Sequence, residues 1–287
     1  MGKKNSVQNE KLKMRGQEGF EKYYSNLFGA RWELLKKALL GEQVYAEWSG
    51  GGKEKYFLDP ASVFAAMQLP VSDGENFLDM CAAPGGKTLV IATRMPENAV
   101  LVSNERSAQR KIRLSQVCDS CLSENIKERI KISCSDAAVW CKTQTKFYDR
   151  ILLDAPCSSE RHVLLDEKYL EQWSPARIKS LAMEQWALLS CAFRLLAPGG
   201  FLLYSTCALC PAENDEVAKR LLKKFENAEL VFAEKQPCIA EDFSSFCKMN
   251  CIPIPERTEF GFHILPDKNE GCGPIWFTLV KKNKTDI

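Results

Sequence analysis

Asn76-Phe77-Leu78-Asp79-Met80-Cys81-Ala82-Ala83-Pro84-Gly85-Gly86-Lys87-Thr88 reads as a short buried strand running into a glycine-bearing turn that opens a helix. Phe77, Leu78 and Met80 give an apolar run of strand length, and Gly85-Gly86 allow the backbone to approach a ligand closely. The helix beyond the turn offers unpaired N–H groups to an anionic moiety. The spacing before Lys87 does not fit the phosphate loop G-x-x-x-x-G-K-[ST], nor is the turn G-x-G-x-x-G. A nucleoside carrying a small carboxylate suits a Pro-Gly-Gly turn better than a dinucleotide does. Nineteen residues after Gly86, Glu105 follows the next strand, at the distance where an acidic side chain grips a ribose. A ligand-free tight turn, with Glu105 as a surface acid, is the competing reading of the same residues.

Outward from this segment, strand and helix patterns alternate. Strands are expected at 76–80, 99–104, 130–134, 150–154 and 201–206, with helices at 87–94, 107–118 and 175–196. Such alternation predicts an α/β fold with a mainly parallel sheet and right-handed crossovers. Gly261 to Leu265 and Ile275 to Val280, around Gly273-Pro274, predict a C-terminal antiparallel hairpin. Residues 17–48 carry helical spacing (Phe20, Tyr23, Tyr24, Leu27, Phe28, then Leu34, Leu35, Ala38, Leu39), and Gly50-Gly51-Gly52 reads as a hinge or linker. The chain is therefore divided into a short helical N-terminal extension, 1–52, and a catalytic domain, 53–287.

The 287 residues suffice for a full core, and 45% hydrophobic with 26% charged is ordinary for a globular protein. A net charge of +2 does not announce a polyanion binder. Lys3, Lys4, Lys11, Lys13, Arg15 and Lys22 nevertheless make the opening stretch a modestly basic, solvated arm. Thirteen cysteines, an N-terminus without the apolar core of a secretory signal, and acidic residues unlike a transit peptide point to a reducing compartment, the cytoplasm. No apolar run has the length of a membrane span. Cys118-Asp119-Ser120-Cys121 and Cys207-Ala208-Leu209-Cys210 have zinc-like spacing, but they lie far apart with only His162 and His263 in the chain, so no metal is expected.

Two further strands deliver thiols. Asp149 to Leu153 leads into Asp154-Ala155-Pro156-Cys157, and Phe201 to Tyr204, after the helix-ending turn Leu196 to Gly200, leads into Ser205-Thr206-Cys207. Ligands of open α/β sheets bind beyond the carboxyl ends of the strands. If these strands neighbour the first, two thiols converge on one cofactor; alternatively each cysteine is a small buried hydrophobe.

Together these segments resemble the RNA 5-methylcytosine methyltransferases of the NOP/Sun (NSUN) family. Asp79 to Thr88, Asp154-Ala155-Pro156-Cys157-Ser158 and Ser205-Thr206-Cys207 look like its cofactor, releasing-cysteine and nucleophile motifs, in the right order, within a resemblance running from about Tyr56 to Val280. Asp59-Pro60-Ala61-Ser62 looks like the motif preceding its catalytic domain. Ser159-Glu160-Arg161-His162, where many bacterial members have glycines, is closer to the mitochondrial-type branch, which acts on small-subunit ribosomal RNA or transfer RNA.

The resemblance implies a Rossmann-like, S-adenosylmethionine-dependent methyltransferase whose partner is RNA, ribosomal rather than transfer, and which is monomeric, with a partner protein that presents the RNA left open. It implies that Cys207 attacks carbon 6 of cytosine, that Cys157 assists release, and that Asp154 meets the N3 and N4 edge of the base with Lys87 steadying the site. It assigns Cys81, Ala82, Ala83, Pro84, Gly85, Gly86 and Lys87 to the methionine end of the cofactor, Glu105 to the ribose, and Asp136 to the adenine, where it also suits a helix N-cap, and counts Asp154 among the cofactor contacts. Arg161 and His162 are expected near phosphate or base, or in a structural role, and Arg110, Lys111 and Arg113 on a solvated helix face. The rival readings are a DNA cytosine methyltransferase with Cys157 as attacker, a non-catalytic RNA-binding or ribosome-assembly factor that keeps the fold, and a thiol-redox protein using Cys207 and Cys210.

Overall fold

A computed structural model describes residues 14–71, 73–143, 146–233, 247–248 and 252–284. Lys3, Lys4, Lys11 and Lys13 of the basic arm lie outside the described residues, whereas Arg15 and Lys22 are exposed.

Helices α1 (Gly16–Phe28) and α2 (Trp32–Leu40) precede a hairpin of β1 (Ala46–Trp48) and β2 (Tyr56–Leu58). Helix α3 (Pro60–Met67) starts where the sequence dictates: Pro60 occupies the first turn, and the Asp59 carboxylate accepts the Ala61 N–H at 2.7 Å. Alternation follows through β3 (Asn76–Asp79), α4 (Gly86–Ala92), β4 (Val100–Asn104), α5 (Ala108–Cys121), α6 (Glu124–Lys127), β5 (Ile130–Ser133) and β6 (Tyr148–Asp154). Then come α7 (Glu160–Leu165), α8 (Glu167–Glu171), α9 (Pro175–Leu195), β7 (Leu196–Thr206), α10 (Asp215–Lys224) and β8 (Ala228–Leu230). Strands β9 (Cys247–Lys248), β10 (Glu256–Arg257), β11 (Phe262–Ile264) and β12 (Ile275–Lys282) complete the described elements.

The main sheet runs β10-β11-β12-β7-β6-β3-β4-β5, with β8 on the far side of β12. Strands β3 to β7 pair in parallel, while β12 pairs antiparallel with β7 and with β11, the expected C-terminal hairpin. The strands leading into the glycine-bearing turn and the two thiol segments are thus neighbours, β7-β6-β3, and their carboxyl ends share one edge. Alternate residues divide the core: Phe77, Leu152 and Leu203 pack with α3 and α4 on one face, Leu78, Ile151 and Tyr204 with α9 and α10 on the other. Burying each of these large side chains stabilises the sheet by about 1.5–3 kcal/mol, which fixes the register presenting the strand ends. A third cluster joins Phe20, Tyr24, Trp32 and Leu35 of the first two helices to Val163, Trp173 and Ile178.

Two segments differ from expectation. Leu196 to Gly200 is no helix-ending turn but the opening of β7, which jumps register against β6 from Tyr148–Leu196 to Arg150–Phe201. The excess residues on one strand are a bulge, with Gly199 at φ +84° where a side chain would be strained. Gly50 to Gly52 is docked against the end of α5: Gly52 N–H donates to Cys121 O at 3.1 Å, and Ser123 N–H donates to Gly50 O at 3.0 Å. A Cβ on Gly52 would lie 2.4 Å from the Cys121 carbonyl carbon, so close approach rather than hinge motion requires glycine there.

Candidate active site

The turn after β3 builds the first wall. Ala82 N–H donates to Asn104 O at 2.7 Å, and the Asn104 side chain donates to Met80 O and Ser135 O, tying three strand ends together. Gly85 stands at φ +119°, and a Cβ there would press on Leu114 and Val117 of α5 at 3.1–3.3 Å. That glycine therefore serves helix packing and lines none of the three cavities below. Gly86 does face a cavity, beneath Tyr56 and Leu58.

Three cavities follow one another along the sheet edge. The first, about 110 Å³, is lined by Cys81, Glu105, Arg110 and Asp136 among others. The second, about 120 Å³, is lined by Cys81 to Pro84, Gly86, Lys87 and Asp154. The third, about 320 Å³, is lined by Asp59, Ser159, Arg161, His162, Cys207 and Gly273 among others. Cys81 borders the first two and Ser62 the last two, so the spaces adjoin.

The first two cavities fit a nucleoside with an amino-acid tail. Glu105 Oε1 accepts the Ser107 N–H at 2.9 Å; its buried Oε2 pairs with Arg110 at 3.2 Å but accepts no hydrogen bond. A ribose hydroxyl would satisfy it. Arg110 also donates to Ala83 O at 2.6 Å, so it braces the turn while remaining on the solvated helix face that the sequence suggests. Asp136 is exposed, caps the following 3-10 helix through the Ala138 N–H at 3.0 Å, as its N-cap reading expects, and also lines the same cavity. Asp79 lies behind the wall and accepts from Thr88 at 2.6 Å. Burial pushes its carboxyl up to about 7, opposed by the Thr88 hydroxyl and aided by the Asp154 charge.

At the junction of the second and third cavities, Lys87 Nζ donates to Asp154 Oδ2 at 2.8 Å and Ser62 Oγ at 3.2 Å. Burial works against the Lys87 charge, but the Asp154 carboxylate outweighs it and holds the ammonium above its ordinary value. Ser205 donates to the other Asp154 oxygen at 2.7 Å. Beyond them, the Cys157 and Cys207 sulfurs stand 3.0 Å apart, and Ser159 Oγ lies 3.2 Å from the Cys207 sulfur. Hydrogen bonding from Cys157, then from Ser159, lowers the Cys207 thiol below its ordinary value against the effect of burial. The same contact raises Cys157, so Cys207 is the thiol poised to ionise.

Arg161 is buried; its Nη2 donates to Gly271 O at 2.8 Å and to Ala38 O at 3.4 Å, while Nε and Nη1 have no hydrogen-bond partner. The expected structural role is thus present, together with spare donors beside the third cavity. His162 is exposed on the same wall, and its ring centroid lies 5.0 Å from that of Tyr169. Sequence reasoning missed Ser62, whose hint was its place in Asp59-Pro60-Ala61-Ser62, and the buried Glu160 and Glu213, for which no local signal exists.

The chain is similar to several known proteins. The family described as 16S rRNA methyltransferase RsmB/F matches over residues 66–265. A Danio rerio protein named tRNA (cytosine(34)-C(5))-methyltransferase, mitochondrial, is 32% identical over 237 residues, which cover 82% of this chain and 62% of that protein. The Xenopus laevis 5-cytosine rRNA methyltransferase NSUN4 is 30% identical over 238 residues, 80% of this chain and 57% of that protein. The chain thus spans about three-fifths of the length of these relatives. Among solved structures, NSun6 from Pyrococcus horikoshii with SFG matches at a TM-score of 0.62 and 25% identity, covering 82% of this chain and 54% of that one.

Proposed function

The chain belongs to the 16S rRNA methyltransferase RsmB/F family, and on that premise we propose that it transfers a methyl group from S-adenosylmethionine to carbon 5 of a cytosine in RNA. The observation that carries this reading is the 3.0 Å approach of the Cys157 and Cys207 sulfurs, with Cys207 on the wall of the third cavity, which adjoins the second through Ser62. When bound, S-adenosylmethionine supplies an electrophilic methyl group. The turn from Cys81 to Lys87, with Asp154, holds its methionine end, Glu105 its ribose, and Asp136 lies at its adenine.

Carbon 5 of cytosine is too weak a nucleophile unaided. The Cys207 thiolate adds to carbon 6, breaking the 5,6 double bond and placing electron density on carbon 5. Asp154 meets the N3 and N4 edge, with its charge balanced by Lys87. Carbon 5 would take the methyl group as the methyl's bond to the sulfonium sulfur breaks; the carbon-5 proton is then lost to solvent, the double bond re-forms and Cys207 departs as thiolate, assisted by Cys157. Arg161 and His162 offer donors to the RNA backbone or base. The cytosine must leave its stack, which favours a single-stranded or remodelled target.

Ribosomal RNA is our substrate assignment, in keeping with the family description; transfer RNA is the second reading, favoured by the similarity to the Danio rerio protein. The described cysteines are free thiols, which suits a reducing compartment. We assign the cytoplasm, and the mitochondrial relative makes that organelle the alternative. The protein is taken to act as a monomer, with or without a partner that presents the RNA.

The test is transfer of labelled methyl groups to ribosomal and transfer RNA fractions by wild type, Cys207→Ala and Cys157→Ala. Wild type should label cytosine, Cys207→Ala should be inactive, and Cys157→Ala should accumulate a covalent RNA adduct. Wild-type rates from Cys207→Ala would end the nucleophile assignment.

A further inference from the structure

Ser158, the residue after Cys157, sits between two buried carboxylates. Its N–H donates to Glu213 Oε1 at 3.0 Å, and its hydroxyl meets both Glu213 Oε2, at 2.5 Å, and Glu160 Oε1. Tyr24 of α1 donates to Glu160 Oε1 at 2.5 Å, and Leu209, two residues past Cys207, donates its N–H to Glu160 Oε2 at 3.0 Å. Gln185 of α9 donates to Glu213 Oε1 at 2.9 Å. Tyr24, Glu160, Gln185 and Glu213 are wholly buried, and Ser158 nearly so. Among the described residues neither carboxylate has a lysine or arginine in ion-pair contact.

Counting hydrogens decides the protonation. Three oxygen–oxygen contacts link Tyr24, Glu160, Ser158 and Glu213, but the two hydroxyls supply only two protons. The third must belong to a carboxyl group. Glu160 accepts from Tyr24, Ser158 and Leu209, which leaves it no contact through which to donate. Glu213 Oε2 meets only Ser158, so it carries the proton and donates it to the Ser158 oxygen. The ionisable groups facing the pair are Tyr23, Tyr24, Cys157, Tyr204, Cys207 and Cys210. All are neutral or anionic, and α9 contributes the neutral Gln185. Arg161, on the same helix as Glu160, is turned to Ala38 and Gly271. Two negative charges here would be uncompensated.

We propose that Glu160 and Glu213 are positioning residues that hold one proton between them and, through Ser158, clamp the Cys157 loop to the Cys207 loop. The clamp deepens the methyltransferase reading, because it sets the distance between the two thiols that reading uses. Glu160 grips the second loop, Glu213 the first, and Tyr24 anchors both to the N-terminal helix. Burial, and next the Glu160 charge, push the Glu213 carboxyl up to about 7, so its ionisation within the neutral range loosens the clamp.

The test needs neither RNA nor cofactor, so its failure is distinct from a failure of the methyltransferase reading. Phenylarsine oxide bridges two nearby thiols, its oxygen leaving as water with the two thiol protons. Mass spectrometry then gives the ratio of 157–207 bridged to singly labelled protein, with Cys157→Ser as the blank. Glu213→Gln reproduces the protonated carboxyl and should bridge as wild type does. Glu160→Gln sets an amide N–H against donors and should lower the ratio on the order of tenfold. Wild type should lose bridging as pH rises from about 6 to about 8.5, through the Glu213 value, while Glu213→Gln stays level. Equal effects of the two glutamines, or a wild-type ratio independent of pH, would overturn the proposal. Should Glu160→Gln not fold, the pH comparison between wild type and Glu213→Gln still decides.

Discussion

Removing the Asp59 carboxylate should loosen two parts of the molecule at once. Its Oδ1 accepts the Ala61 N–H at 2.7 Å, capping α3, and both oxygens take the Gly273 N–H, at 3.0 and 2.9 Å. The second contact crosses from residue 59 to the loop between β11 and β12 and closes one side of the third cavity. In Asp59→Ala, loss of the cap costs about 1 kcal/mol, and a stranded Gly273 N–H costs about 1–3 kcal/mol more. Burial raises the Asp59 carboxyl above its ordinary value, so relief of a partly desolvated charge offsets some of this. The net expectation is a destabilisation of about 2–3 kcal/mol. At roughly 2–4 °C per kcal/mol for a chain of this size, thermal unfolding should begin some 4–12 °C lower. Differential scanning calorimetry of wild type, Asp59→Ala and Asp59→Asn at one pH measures it. Asn keeps one acceptor oxygen and should fall between the two. A midpoint for Asp59→Ala within about 1 °C of wild type would refute the argument that one carboxylate serves both as cap and as clasp.

Two other outcomes follow from the same geometry. Glu105→Ala should weaken S-adenosylmethionine binding by roughly 10- to 100-fold in calorimetric titration, the loss of charge-assisted hydrogen bonds to a ribose; unchanged affinity would move the ribose elsewhere. The buried Glu213 has a folded-state value near 7, raised from 4.5, so its contribution to stability is full below 4.5 and lost as pH rises through about 7. Glu213→Gln should remove up to about 3 kcal/mol of that decline in denaturant titrations between pH 4.5 and about 7; parallel curves for the two proteins would contradict the raised value.

The strands were legible because burial on both faces leaves continuous apolar runs. Phe77-Leu78, Ile151-Leu152-Leu153 and Leu202-Leu203-Tyr204 had no other place to go. The convergence of Cys157 and Cys207 was legible in turn, since parallel neighbours must present their carboxyl ends together. Turn chemistry misled where a glycine has two uses. Gly199-Gly200 suits a helix terminus by sequence and is a bulge, and Gly50 to Gly52 suits a hinge and is a packed seam. The Glu160–Ser158–Glu213 network was invisible because the two acids are 53 positions apart and each alone looks like a surface residue. Only the path of the chain around Ser158 turns them into neighbours. Arg110 keeps the solvent exposure that its helical spacing with Lys111 and Arg113 suggests, but its second task was hidden, because the turn it braces comes from residue 83.

The three cavities also differ in when the chain completes them. The wall around Lys87 needs nothing beyond Asp154, and the one around Glu105 nothing beyond Leu188. The largest waits for Gly273 and Pro274. A polypeptide emerging from the ribosome has therefore synthesised every residue lining the two smaller cavities about 85 residues before the third can close. Synthesis itself thus imposes an order on the three cavities: the two smaller walls exist as sequence before the largest has the residues to close.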